Sequence, residues 1–525
     1  MCASRLSIVL LLFTPLVTMA QPKPSEISFG DAVIESHLTL EASRLSERIH
    51  EGADSKEEWE AKRSELKREF FDMLGLWPLP ERTPLNAKIT GTIQREVFTV
   101  EKVHFQSKPG LYVTGNLYLP QKIEGKLPAV LYVCGHSGKG RDGNKTAFQH
   151  HGMWFATHGY ACLIIDTLQL GEVAGIHHGT YRENRWWWHS AGYTSAGVEC
   201  WNGVRAIDYL LSRPEIDPDQ IAVTGISGGG AATFWIAAAD ERVKVAVPVS
   251  GMSDLESYVV DKVCNGHCDC MFLYNNYRWE WSTIAALIAP RAMLFENSGY
   301  DPIFPMPANE RIRDRLAHLY HWYEKKPGEL FDIGVTPGGH SDNVELRLMA
   351  YRWINKHLKG DNSEVSEPVL PPISGQELRV FPADADLPHD SLNDKIDETF
   401  VSRASSKLPT TKDEFNAWSK SLRDGLSKRV FSDWPDQVPA ATYSGDLAGP
   451  AGGRQLLRTE DDVTVLSKSY VTTEGTKPDK DQPARICWSS SIRTTPKGSC
   501  PAGRKRSFRW ARRRLSSRRA AAVKR

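Results

Sequence analysis

IAVTGISGGGAATFWIAAA, residues 221–239, is the stretch whose reading decides the fold. An apolar run from Ile221 to Val223 leads into Gly225-Ile226-Ser227-Gly228-Gly229, and an alanine-rich, helix-forming segment follows. Strand, G-x-S-x-G and helix, in that order, is the context in which the motif marks a nucleophile elbow. A serine displayed there sits on a sharp turn, so crowding and unusual dihedral angles both call for the flanking glycines. The first amide of the helix, Gly228 N–H, points toward the place where negative charge develops on a reacting carbonyl. A phosphate-binding loop is the competing reading, but no Lys-Ser or Lys-Thr pair follows, which excludes it.

Working outward, short apolar strands alternate with helical segments. Upstream lie REVFTVEKVHFQ, LYVTGNLYLP and AVLYVCG, a helix around 153–157, a buried strand at 160–166, a long aromatic connection and the helix AGVECWNGVRAIDYLLSR. Downstream lie VKVAVPVSG, a cysteine-rich insertion, RAMLFENSG, a helix near 308–325, a strand near 330–336 and a helix near 342–358. This alternation predicts an α/β fold, a mainly parallel sheet with helices on both faces. Ligands then sit beyond the carboxyl ends of the strands. Before the first strand, EEWEAKRSELKREFFDMLG places Trp59, Leu66, Phe70 and Leu74 near one helical face, and Gly75 ends the pattern.

The expected organisation is a leader (1–20), an N-terminal helical docking segment (21–90), a catalytic domain (91–360), a linker (361–409), a partial repeat (410–475) and a disordered basic tail (476–525). The repeat rests on KDEFNAWSKSLRDGL from Lys412, which echoes KEEWEAKRSELKREF from Lys56, and on Trp434-Pro435 answering Trp77-Pro78. The arginine-rich end carries no hydrophobic pattern and reads as a frame disrupted before the second unit reaches an elbow.

The formal charge of +1 conceals an asymmetry: twelve Lys and Arg and no acid lie in 497–525. Between residues 21 and 496 stand 52 basic against 64 acidic residues. An acidic body argues against a nucleic-acid enzyme and suits a neutral substrate. Arg5, the apolar run Ile8–Val17 and Thr18-Met19-Ala20 form an export-leader pattern, too short to span a membrane. The expected location is therefore secreted or periplasmic. Of nine Cys, Cys134 and Cys162 fall in strand-like runs as buried thiols. Cys264, His267, Cys268 and Cys270 cluster in CNGHCDC, for which a disulfide or a metal site are the alternatives.

A serine hydroxyl needs an imidazole to take its proton, and the imidazole needs a carboxylate to set its tautomer. In this arrangement the chain order is Ser, acid, His. Asp301 follows RAMLFENSG and His340 follows LFDIGVTP, both in loops at strand ends. Asp254 is the rival acid; His136, His177, His178, His189 and His267 are the rival bases. A second oxyanion donor is expected from Gly135-His136-Ser137-Gly138, with His136 the candidate. YRENRWWWHSAGY supplies Trp187, Trp188 and Tyr193 as a stacking platform for sugar rings, although three adjacent Trp cannot share one face.

Taken together, VCGH, DTLQLGE, AGVECWNGVRAIDYLLSRPEID, VTGISGGGAATFWIAAADERV, HCDCMFLYNNYRW, IAPRAMLFEN, YDPIFP and GGHSD resemble secreted α/β-hydrolases of the acetyl xylan esterase type. These are similar to cephalosporin C deacetylases and to the dienelactone hydrolase and prolyl oligopeptidase branches. The resemblance covers about residues 56–360 and implies an α/β-hydrolase fold, a Ser227, Asp301, His340 triad and deacetylation of a carbohydrate ester without metal or cofactor. Residue 228 departs from it, being Gly where the better known enzymes tend to carry Gln. The alternatives are a peptidase of the prolyl oligopeptidase branch and a non-catalytic carbohydrate-binding protein. No propeller fits in the fewer than one hundred residues before the first strand.

Overall fold

Alternating apolar positions along the central strands give the sheet two buried faces. The computed structural model describes residues 29–264, 267–402, 407–431, 442–449, 452–458 and 464–468. Within the unit Glu35–Pro439 the strands are β1 (Lys88–Gln94), β2 (Phe98–Lys108), β3 (Leu111–Pro120), β4 (Leu127–Val133), β5 (Ala161–Ile165), β6 (Ile216–Ile226), β7 (Val243–Val249), β8 (Ala292–Ser298) and β9 (Phe331–Thr336). They form one sheet in the order β1-β2-β3-β5-β4-β6-β7-β8-β9. From β5 across to β9 every neighbouring pair is parallel, whereas β1, β2, β3 and β5 pair antiparallel. The mainly parallel α/β reading is thus observed, with an antiparallel wing.

Period-two alternation sorts the side chains. Leu131, Leu163 and Val223 face one core, shared with the helices Lys56–Leu74, Ser195–Leu211, Gly228–Ala239 and Met306–Tyr320. Val130, Ile164 and Ala222 face the other, under Gln149–Thr157 and Val344–Ile354. β1 went unread in the sequence because KITGTIQ is an exposed or half-exposed edge strand and carries no burial signal.

The helix Lys56–Leu74 is capped by Ser55, whose Oγ accepts from Glu58 N–H, and it ends at Gly75 in the left-handed region with φ 78°. Trp59, Leu66, Phe70 and Leu74 are buried. The Leu74 carbonyl accepts from Thr194 N–H (3.3 Å) and Oγ1 (3.1 Å), which fastens this helix to the start of Ser195–Leu211.

The stretch read as a linker, 361–409, requires correction. Ile373, Leu378, Val380, Phe381, Ile396 and Phe400 are all buried. Glu172 accepts from the Val380 (2.7 Å) and Phe381 (2.9 Å) amides, and Asn393 brackets Tyr112 with bonds to its N–H and C=O. The anchoring runs through backbone groups of irregular chain, which leaves no periodic pattern to read.

The helix Lys412–Arg429 is capped by Thr411 and Glu414 but buries none of its side chains, in contrast to Lys56–Leu74. Trp434-Pro435, the leader, and residues 469–525 lie outside the described residues. A separate unit holds a three-stranded antiparallel sheet of β10 (Thr442–Gly449), β11 (Gly452–Arg458) and β12 (Thr464–Lys468). No helix among the described residues is long and apolar enough to cross a membrane.

Candidate active site

Ser227 stands between β6 and its helix at φ 62°, ψ −122°, a conformation that costs an ordinary L-residue about 1–3 kcal/mol. The crowding that demands glycine is visible. A Cβ on Gly225 or Gly229 would lie 2.0 or 2.1 Å from the Val133 carbonyl oxygen, and one on Gly135 would lie 2.5 Å from that of Ile226. β4 and its loop therefore press directly on the turn. Ser227 N–H donates to Val249 O at 2.9 Å, which ties the turn to the end of β7.

Asp301 and His340 meet in the loops after β8 and β9. His340 Nδ1 donates to Asp301 Oδ2 at 2.7 Å, while Asp301 Oδ1 accepts from Ile303 N–H (2.9 Å) and Phe304 N–H (3.1 Å). Burial pushes the Asp301 carboxyl up, but the His340 bond and the two amides outweigh it and hold the group below its ordinary range. The two loops are joined by Tyr300 N–H to Gly338 O at 2.9 Å and Gly299 N–H to Thr336 O at 2.8 Å. Two residues beyond His340, Asp342 accepts from His150 (2.9 Å) and His151 (3.1 Å). That pair of histidines on the helix Gln149–Thr157 pins the His340 loop, a support the sequence did not single out.

Ser227 lies at the carboxyl end of β6, on the same sheet end as the Asp301–His340 pair, because β6 to β9 run parallel. Its Oγ takes no hydrogen-bond partner among the described residues.

The rivals have other partners. Asp254 is buried and paired with Arg311 at 2.5 and 2.9 Å. His267 stacks on Phe272 and packs against Phe304. His136 and His177 face the thiols of Cys268 and Cys270, which with Cys264 are unbridged. Cys270 foremost, then the two imidazoles, hold the Cys268 thiol well below the usual thiol range despite its burial.

The loop bearing His136 is set by Asn144. Its Nδ2 donates to Gly135 O (2.8 Å), and its Oδ1 accepts from Ser137 N–H (3.2 Å) and Oγ (2.9 Å). Beside it, the fully buried Lys145 pairs with Asp166 (2.8 Å) and Glu172 (2.5 Å). Burial alone would lower the Lys145 pKa; the two carboxylates hold it above its ordinary value. The DTLQLGE motif thus holds the loop through its two acids.

The aromatic segment divides. Trp188 is buried, Trp187 is half exposed, and Tyr193 is fully buried with its hydroxyl donating to Ile396 O at 2.7 Å. Tyr193 is therefore no stacking platform, which corrects the sequence reading; it packs beneath the 396–400 segment. Tyr193→Phe is expected to cost about 1 kcal/mol of stability in a denaturant titration without raising KM. Trp186 and Trp188, but not Trp187, line a cavity of about 530 Å³ with Tyr258, His267, Phe272 and Trp281. Its wall reaches His340 through His267 and Phe304, with successive ring centroids 5.3 and 5.8 Å apart.

Residues 147–359 match the model of the prolyl oligopeptidase family. The "Putative hydrolase YtaP" of Bacillus subtilis is 27% identical over 311 residues, covering 56% of this chain and all of that protein. "Uncharacterized peptidase YuxL" of the same organism is 25% identical over 181 residues, 34% of this chain and a quarter (25%) of its own length. Among solved structures, "Methylesterase BT1017" superposes with a TM-score of 0.51 at 22% identity, covering 74% of this chain and 81% of that one. The chain has the α/β-hydrolase fold. In chain order Ser227 follows β6, Asp301 follows β8 and His340 follows β9.

Proposed function

We propose that this chain is an exported serine esterase that removes acetyl or other small acyl groups from a carbohydrate such as xylan. The observation that carries the reading is the 2.7 Å bond from His340 Nδ1 to the buried Asp301 carboxyl, at the sheet end where Ser227 is held on its strained turn. With Nδ1–H engaged, the Nε2 lone pair is free to take the serine proton. Ser227 Oγ attacks the acyl carbonyl, and the oxyanion is met by Gly228 N–H and His136 N–H. The tetrahedral intermediate collapses, and His340 returns its proton to the departing sugar hydroxyl. Water then attacks the acyl-serine, giving a proton to His340, and acetate leaves as Ser227 is restored.

The aromatic cavity beside the triad residues supports a ring-shaped substrate. Trp186, half exposed on its rim, is the residue placed to stack. Trp186→Ala is expected to raise KM several-fold for an acetylated oligosaccharide, the equivalent of about 1 kcal/mol, and less for an aryl acetate. An equal change for both would remove the saccharide from this cavity.

A peptidase is the second reading, favoured by the prolyl oligopeptidase match over 147–359. Comparing kcat/KM on acetylated xylo-oligosaccharides, aryl acetates and peptide anilides separates the two. The esterase reading predicts turnover of the esters and none of the anilides; the reverse order would replace it.

A further inference from the structure

Five metal-ligating side chains converge beside the nucleophile turn from three separate loops. His136 comes from the loop after β4, His177 and His178 from the connection after β5, and Cys268 and Cys270 from the insertion after β7. The ligand atoms of His136, Cys268 and Cys270 all lie within 4.8 Å of one another, as do those of His177, His178 and Cys268, so Cys268 belongs to both sets. Both thiols are buried, at 3% and 5% exposure, and unbridged. His177 Nε2 is buried without a hydrogen-bond partner.

We propose that His136, Cys268 and Cys270 bind one zinc ion, and that His177, which shares Cys268 with the second set, turns in as the fourth ligand to complete a tetrahedral Cys2His2 site. Bond lengths of about 2.3 Å to sulfur and 2.0–2.1 Å to nitrogen give a tetrahedral S···N edge of roughly 3.5 Å. Cys270 Sγ and His136 Nε2 stand 3.6 Å apart. Two soft sulfurs and two imidazoles are the donor set of a closed structural zinc site rather than of a calcium or magnesium site. The ligands span more than 130 positions of sequence, which is why the CNGHCDC cluster alone did not reveal them. Of that cluster, His267 turns instead toward Phe272 and Phe304.

The position gives the ion a task. A Cβ on Gly228 would lie 3.6 Å from His136 Nε2 and 3.7 Å from Cys270 Sγ, so the site abuts the first turn of the helix that follows Ser227. An ion here clamps the His136 loop and the cysteine-rich insertion against that turn. It acts by tying loops together, and its ligand set leaves no open position for substrate.

The test is the metal content of the untagged full chain, purified without chelator under reducing conditions and measured by inductively coupled plasma mass spectrometry. About one zinc per chain is expected, lost in both Cys268→Ser and His177→Ala. A measurement that does not depend on those variants folding is replacement of zinc by Co2+ in the unmodified protein. The site predicts the intense ligand-field absorption of tetrahedral cobalt together with thiolate-to-cobalt charge transfer. A chain without stoichiometric metal that yields no such spectrum overturns the proposal. So does a Cys268–Cys270 disulfide found by mass spectrometry in the native protein.

Discussion

Asp301→Asn is expected to lower kcat on an aryl acetate about 10,000-fold while the fold survives. The carboxylate does two things that asparagine does not. In the proposed mechanism it fixes the proton on Nδ1, leaving Nε2 as the acceptor for the serine proton, and it stabilises the imidazolium formed in each half-reaction. The amide has nearly the same shape, and its oxygen can still accept from the Ile303 and Phe304 amides that now bond Oδ1. Its NH2 then faces His340 and selects the wrong tautomer. Asp254→Asn is the control. Asp254 pairs with Arg311 and not with an imidazole, so its replacement is expected to lower Tm while sparing turnover. Steady-state kinetics and calorimetry on the two variants read this directly. Exchange of the two phenotypes would transfer the acid role to Asp254.

Lys145→Met is expected to carry the largest stability effect. The substitution fits the volume of the stem but leaves Asp166 and Glu172 buried without their shared cation. Breaking a buried ion pair by removing one partner costs about 3–5 kcal/mol, which for a unit as long as Glu35–Pro439 lowers Tm by about 5 °C. Arg141, 3.2 Å from Glu172, softens the loss on one side only. Because Asn144 adjoins Lys145 and sets the His136 loop, kcat is expected to fall as well at temperatures where the variant is folded. A Tm within a degree of the parent would show that the network is dispensable.

What could be read from the sequence followed physical necessity of a local kind. The turn at Ser227 was legible because Gly225 and Gly229 sit against the Val133 carbonyl, where no side chain fits. Asp301 and His340 were legible from chain order after two apolar strands, and the structure brings them into contact. Other features depend on distant partners. The 373–400 segment is held by carboxylate-to-amide bonds from Glu172 and by Asn393, neither of which imprints a period on the segment itself. Tyr193 looked like a surface aromatic because its cover, the 396–400 segment, lies some two hundred residues away. Asp342, clamped by His150 and His151, follows the same logic: adjacent in space, remote in the chain.

The central claim is that the Ser227 hydroxyl is activated for attack, and covalent labelling tests it most directly. Intact protein treated with a fluorophosphonate, digested and mapped by mass spectrometry, is predicted to carry the phosphonyl group on Ser227. Labelling should disappear in Ser227→Ala and slow sharply in His340→Ala. A folded protein that takes no label, or takes it at another serine with Ser227 unmodified, would contradict the account.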